Sequence, residues 1–275
     1  MRGSLVFVLF SALIAFAQPD AREIVQRSVQ RDERSFTLAR DYTYQVHNVF
    51  SELDGKGNAK QIHNETHEIL FIGGKPYRRL IEKDSRPLGR NEEAREQAKL
   101  DRAIAEANKL TSAEKEKRFQ DYTKRRMKDR EALKDIPDAF DFRLLREETI
   151  AGRPAYVIQV EPRPSYRGKH RDVLSKIHGT LWIDQAGFHW IKVEAETLDT
   201  MSFGFFIARL AKGSRLEFEQ TMINGEIWVP LRASARVSAR VGLVKKFNLE
   251  NEATFSSYRK FQTDSRIVST SEVQQ

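Results

Sequence analysis

A chain of 275 residues with 40% hydrophobic content is long enough for one large domain with a real core. It contains no cysteine, which excludes disulfides, thiol catalysis, cysteine metal sites and an acylated N-terminal cysteine. A formal charge of +8 suits anionic surroundings such as phospholipid headgroups or other envelope polyanions.

Residues 1–17 have the form of a secretory signal. Arg2 gives the positive start, and Leu5 to Phe16 is an apolar run too short to span a bilayer. Ala15-Phe16-Ala17 is a small–x–small cleavage site, so the expected mature chain starts at Gln18. That predicts a periplasmic protein, soluble after cleavage, and argues against nucleic acid as a partner. Residues 20–39 read as a helix, with Asp20 as cap and Ile24, Val25, Ser28 and Val29 as its apolar stripe.

From Asp41 the period changes to two. Tyr42, Tyr44 and Val46 share a face, Ala59 to Ile72 returns, and Tyr77 to Lys83 follows the turn at Gly73-Gly74. From about 91 to 134 the chain is rich in Glu, Lys, Arg, Ala and Gln. Leu100, Ala103, Ile104, Ala107 and Leu110 repeat at helical spacing, and Thr111-Ser-Ala-Glu114 is a capping box opening a second helix. This predicts a helical hairpin inserted between strands, with a solvated face of mixed charge.

Strand alternation resumes at Phe140, Phe142 and Leu144, against Asp141, Arg143 and Leu145. Tyr156, Ile158 and Val160 carry the next strand. The stretch Ile177–Glu196 reads as two strands joined by a tight turn. Ile177, Gly179, Leu181 and Ile183 share one face of its first arm, and Ile191, Val193 and Ala195 share one face of its second. Asp184 opens that turn and Gly187 is expected to supply a positive φ. Trp182 and Trp190 fall on the charged face, where they are expected to stack across the pair. Met201–Leu210 is the most apolar piece after the leader. Leu216, Phe218 and Met222 alternate with charge before the Asn224-Gly225 turn. Ile227, Val229, Leu231, Ala233 and Ala235 face inward on the return, and Leu243, Phe247, Leu249, Ala253 and Phe255 continue the pattern. Residues 263–275 are polar and expected to fray. The sum is an α+β fold, mainly antiparallel: a curled meander of about ten strands forming an unclosed barrel, with helices over the concave face.

No catalytic set, cofactor motif or metal set stands out. His63 and His67 share a strand face but lack further ligands nearby in sequence. Asp138 and Asp141 read as turn formers around Phe140. The loop Arg163–Arg171 concentrates Arg167, Lys169 and Arg171 beside Tyr166. With Phe203, Phe205 and Phe206 these are candidates for a mouth or a peripheral contact with an anionic membrane, although charge runs usually stay solvated.

Two late words carry a resemblance: Gly179-Thr-Leu-Trp-Ile-Asp184 followed by Trp190-Ile-Lys-Val193, and Asn224-Gly-Glu-Ile-Trp-Val-Pro230. With the exported start, the leading helix and the long meander, they resemble the outer-membrane lipoprotein-sorting family, the LolA-like superfamily. The resemblance spans most of the chain except the helical insert. It implies an unclosed barrel with a helical lid over an apolar cavity for acyl chains. The expected ligand is a lipid or acylated lipoprotein, held without catalysis or cofactor. The expected lining is Phe140, Phe142, Leu144, Tyr156, Ile158, Leu181, Ile183, Ile191, Val193, Leu216, Phe218, Met222, Val229, Phe247 and Leu249. The alternative is an envelope sensor, in which the same fold binds a protein partner through the insert and Met201–Leu210.

Overall fold

The structure is a computed structural model that describes residues 19–38, 42–54, 56–203, 208–241 and 245–260. The leader, the tail, Phe205 and Phe206 lie outside the described residues. Helix α1 (Ala21–Leu38) comes first, with the Arg22 N–H donating to the Asp20 carboxylate at 3.1 Å as the cap predicts. Strands β1 (Tyr42–Leu53), β2 (Ala59–Ile72), β3 (Lys75–Lys83) and β4 (Arg86–Pro87) follow as hairpins. Helices α2 (Arg90–Asn108) and α3 (Ser112–Asp129), a 3₁₀ turn (Glu131–Asp135) and α4 (Ile136–Ala139) form the insert. Strands β5 (Phe140–Ile150), β6 (Arg153–Pro162), β7 (Ile177–Asp184) and β8 (Trp190–Thr197) come next, with α5 (Arg171–Leu174) between β6 and β7. The remaining strands are β9 (Met201–Phe203), β10 (Ala208–Leu210), β11 (Arg215–Ile223), β12 (Ile227–Val241) and β13 (Lys245–Lys260).

All described strands belong to one sheet, and every pairing is antiparallel. The order is β4-β3-β2-β1-β13-β12-β11-β8-β7-β6-β5, with β10 branching from β12 and β9 pairing β10. The main path of the sheet is therefore open, with β4 and β5 as its two edges, and β9 is the edge of the branch. Edges β4 and β5 are consecutive in sequence and the helical insert is what connects them. The centre is closed by a distant pairing, with Tyr42 opposite Lys260 and Glu52 opposite Leu249.

Helix α1 packs on β5, β7, β12 and α4. Ala21, Ile24, Val25 and Val29 are buried against Phe140, Ile158, Val160, Leu181, Ile183 and Trp190, the main core. Ser28 sits fully buried in the same stripe. Its hydroxyl donates to the Val25 carbonyl at 2.7 Å and accepts the indole N–H of Trp190 at 2.7 Å. A buried indole needs such an acceptor, because an unpaired N–H there costs its full desolvation.

Register shifts interrupt six of the described pairings, and three of them bear on the late strands. Glu219 lies opposite Arg232 but Gln220 opposite Pro230, so Leu231 is the extra residue and is exposed rather than inward. Leu144 lies opposite Ile158 but Arg146 opposite Val157, which puts Leu145 at the surface. Trp182 lies opposite Lys192 and Ile183 opposite Trp190, leaving Ile191 unpaired. As a result Trp190 joins the core under α1, while Ile191 joins Trp182, Ala155, Val157 and Trp228 in a second cluster. The two tryptophans do not stack. Trp182 instead donates to Glu148 at 2.7 Å and carries the Lys192 ammonium over its ring. The turn between them departs from expectation as well. Asp184, 1% exposed, accepts from the Gly187 N–H at 2.6 Å and Arg153 Nε at 2.8 Å, but the positive φ falls on Phe188.

The second helix of the insert, α3, begins as the capping box predicts, with Thr111 and Glu114 bonded reciprocally. It is pressed onto the sheet rather than standing free. Leu100 and Ala107 of α2 are buried, and α2 and α3 contact β3. The β2–β3 turn touches it closely: a Cβ on Gly74, at φ +85, would lie 2.1 Å from the Lys115 carbonyl oxygen of α3.

Two outcomes follow from this packing. Ser28→Ala, which strands the Trp190 N–H, is expected to cost about 1–3 kcal/mol, read as a lower urea midpoint in tryptophan fluorescence. Gly74→Ala is expected to push α3 off the turn, seen as faster amide exchange across Ser112–Asp129 with β6 and β7 unchanged.

Candidate ligand-binding site

Two hollows open over the sheet, and Asp32 of α1 lines both. The first is an aliphatic chamber of about 380 Å³. Leu133 and Ile136 of the insert roof it, Leu174 of α5 closes one side, and Phe140, Val160, Leu181, Trp190 and Val193 form the floor with Leu216 and Phe218. The second is an aromatic chamber of about 330 Å³. Tyr42, Tyr44, Ile69 and Phe71 line it from β1 and β2, Phe119 and Tyr122 from α3, and Trp228, Phe255 and Tyr258 from β12 and β13. Both volumes lie in the range of small-molecule sites.

The rings of the aromatic chamber hold one another. Tyr44 stacks on Tyr258 at 5.3 Å, and Tyr122 meets Phe71 edge-on at 6.0 Å between centroids. Burial pushes the Tyr44 and Tyr258 phenols up, so both stay neutral; the Tyr258 hydroxyl donates to the Pro230 carbonyl at 2.6 Å. Between the chambers stand Asp32 of α1 and Arg130 at the end of α3, joined as an ion pair. The Asp32 side chain is 10% exposed and Arg130 28%.

The predicted lining separates into four groups. Phe140, Leu181, Val193, Leu216 and Phe218 line the aliphatic chamber, and Phe218 and Val229 the aromatic one. Phe142, Leu144, Tyr156, Ile158 and Ile183 are packed into the core under α1 instead. Ile158 and Ile183 have no exposed surface at all. Ile191 and Met222 lie with the Trp182 cluster. Phe247 and Leu249 of β13 are opposite Ala239 and Val237 and line neither chamber. The sequence reading missed the aromatic chamber and the roof. Alternation on β1 places Tyr42 and Tyr44 on one face, but no signal in β1 or α3 says that they face Phe119 and Tyr122.

The basic loop is engaged with the insert. Asp135 accepts from the Tyr166 hydroxyl at 2.5 Å and from His170 Nδ1 at 2.8 Å, and Lys169 reaches Glu131 at 2.9 Å. Arg163 bridges to Asp141 at 2.8 Å and to the Phe140 carbonyl at 2.9 Å. Arg167 donates to the Pro164 and Tyr166 carbonyls, while Arg171 is exposed at the start of α5. Burial, then Asp135, pushes the Tyr166 phenol up to about 12. Burial also raises the Asp135 carboxyl, but the Tyr166 and His170 hydrogen bonds outweigh it and hold the carboxyl below its usual range. Phe203 pairs Ala208 through the backbone.

No family model and no curated protein sequence matches the chain. Solved structures do. Members of the LolA superfamily are similar to it in structure. One is a LolA superfamily protein from Nitrosomonas europaea, at 11% identity over 89% of this chain and 95% of that one, TM-score 0.31. A lipoprotein-sorting protein domain from Vibrio parahaemolyticus aligns at 11% identity over 88% and 95%, TM-score 0.30. A DUF1329 family protein from Desulfovibrio piger aligns at 9% identity over 90% and 96%, TM-score 0.32.

The lowered Asp135 carboxyl stabilises the docked loop above its unfolded pKa, and this is lost as pH falls through the folded value. Acid is therefore expected to free residues 163–170 before the sheet unfolds, measured as exchange protection of that loop against pH, and Asp135→Asn is expected to flatten the dependence.

Proposed function

We propose that this protein is an exported, periplasmic binding protein that holds the hydrocarbon part of a lipid or acylated lipoprotein in the aliphatic chamber, without catalysis or cofactor. The observation that carries this reading is the hollow of about 380 Å³ walled by Leu133, Ile136, Phe140, Leu174, Leu181 and Val193. A packed interior leaves few gaps larger than a water molecule, and a hollow whose lining is mostly apolar suits an apolar guest. Each methylene transferred there from water is worth about 0.8 kcal/mol, so a run of about a dozen yields about 10 kcal/mol before the cost of association. No reacting group is needed for such an affinity. The signal-like residues 1–17 and the absence, among the described residues, of a helix long and apolar enough to cross a membrane support an exported protein. In this reading residues 18–275 are one binding unit, with the insert as its roof.

Native mass spectrometry of protein purified from a periplasmic fraction, with and without delipidation, tests the proposal. The expected result is an added mass lost on delipidation and restored by a long-chain lipid. Val193→Phe, which fills the chamber, is expected to lower uptake at least tenfold while the melting temperature moves by a few degrees. Wild-type protein that carries no lipid and takes none up would overturn the reading.

A further inference from the structure

Two sets of interlocked rings wall the aromatic chamber. On the side of β2 and α3, Phe71 meets Phe119 at 6.3 Å and Tyr122 at 6.0 Å between centroids. On the side of β1 and β13, Tyr44 meets Phe255 at 6.1 Å and Tyr258 at 5.3 Å. Among the described residues no ring contact joins one set to the other. The hollow that both sets line is thus walled by rings, unlike the aliphatic chamber, whose roof is Leu133 and Ile136.

Four tyrosines line this hollow: Tyr42, Tyr44, Tyr122 and Tyr258. Two have their hydroxyls engaged by the chain itself, Tyr42 donating to Glu226 and Tyr258 to the Pro230 carbonyl. Tyr44 and Tyr122, one from each set, have no such bond among the described residues. Both are half-buried. Burial, then the Tyr122 phenol, pushes Tyr44 up, so it keeps its proton and can donate. A hydroxyl held among rings is costly until something bonds it. The charged residues of the wall call for no ion, because Asp32 is paired with Arg130 and Arg126 has a partner of its own.

We infer that the aromatic chamber binds an uncharged, flat conjugated ring carrying carbonyl oxygens, the chemistry of a quinone, with the ring against the two aromatic sets and its oxygens accepting from Tyr44 and Tyr122. Ring packing favours such a guest over a flexible chain, because the offset and edge-on arrangements used within each set extend to it. Carbonyl oxygens suit phenols that lack an acceptor of their own. The chain has no cysteine, so an electrophilic ring of this kind meets no thiol to alkylate. The role is binding alone, with no electron transfer. It goes beyond the proposed lipid binding and stands without it, since it uses the other hollow.

The experiment titrates the purified, delipidated protein with menadione and with 2-methylnaphthalene, which has the ring system without the oxygens. Calorimetry and quenching of tryptophan emission report binding, since Trp228 lines the chamber. Wild type is expected to bind menadione at least tenfold more tightly than the hydrocarbon. The double variant Tyr44→Phe/Tyr122→Phe removes both hydroxyls and keeps the rings. It is expected to abolish the preference while hydrocarbon binding and melting temperature stay as they were. Hydroxyls serving only the fold predict instead a lower melting temperature and weaker binding of both compounds alike, which overturns the inference. Thr123→Trp, which fills the hollow from α3, is expected to lose both compounds; should it fail to fold, the double variant carries the test. Menaquinone-4, the same ring with an isoprenoid tail, separates the sources. Tighter binding than menadione assigns the site to a prenylated quinone, and equal or weaker binding assigns it to a free one. No binding of menadione, or equal affinity for it and the hydrocarbon, overturns the inference and leaves lipid uptake by the aliphatic chamber untouched.

Discussion

The site depends on one change along the inward face of α1, from apolar side chains to a carboxylate. Ala21, Ile24, Val25 and Val29 interdigitate with β5, β6 and β7, and Ser28 accommodates the Trp190 indole. One turn later the inward position is Asp32, buried and on the wall of both hollows. A buried carboxylate is costly unless it is paired. The same residue then needs a cation, and Arg130 at the end of α3 supplies it.

Sheet order explains why a helical insert is present at that position. An open antiparallel sheet leaves two edges, here β4 and β5, and the chain passes directly from one to the other. The connection must cross the gap between them, and a mobile loop there would leave both chambers exposed to water. Two helices with a sealed junction at Thr111 and Glu114 cross it as a roof. Their outer face is charged, Phe119 and Tyr122 of α3 line the aromatic hollow, and Leu133 of the following 3₁₀ turn lines the aliphatic one. The Asp135–Tyr166–His170 cluster fixes the far end of that roof to the β6–β7 loop.

Much of this was written in local patterns. Period two marked the long strands, and β2 runs from Ala59 to Ile72 as the alternation indicated. Helix α1, the capping box and both insert helices are also local events. Three things were not legible. Bulges reassign faces with one residue, as at Ile191 and Leu231, and nothing in their composition separates them from their neighbours. The pairing of β13 with β1 is a long-range choice that alternation permits but does not specify. The charge of the Arg163–Arg171 loop suggested headgroups, yet Arg163, Lys169 and His170 are bonded to partners remote in sequence, and charge alone does not reveal who those partners are. The aromatic chamber, which takes residues from both β1 and β13, follows from that same long-range closure.

The seam between β1 and β13 has a temporal consequence. Tyr42 and Lys260 are neighbours in the finished sheet but emerge from the ribosome at opposite ends of synthesis. Until the last strand is made, β1 has one side without a mate and Tyr44 has no Tyr258 to rest against. A growing chain can therefore build hairpins but cannot yet close the aromatic chamber. Joining such distant segments is also slow, because the loop between them must be gathered before any contact rewards it. That chamber is thus completed late, as a property of the whole polypeptide.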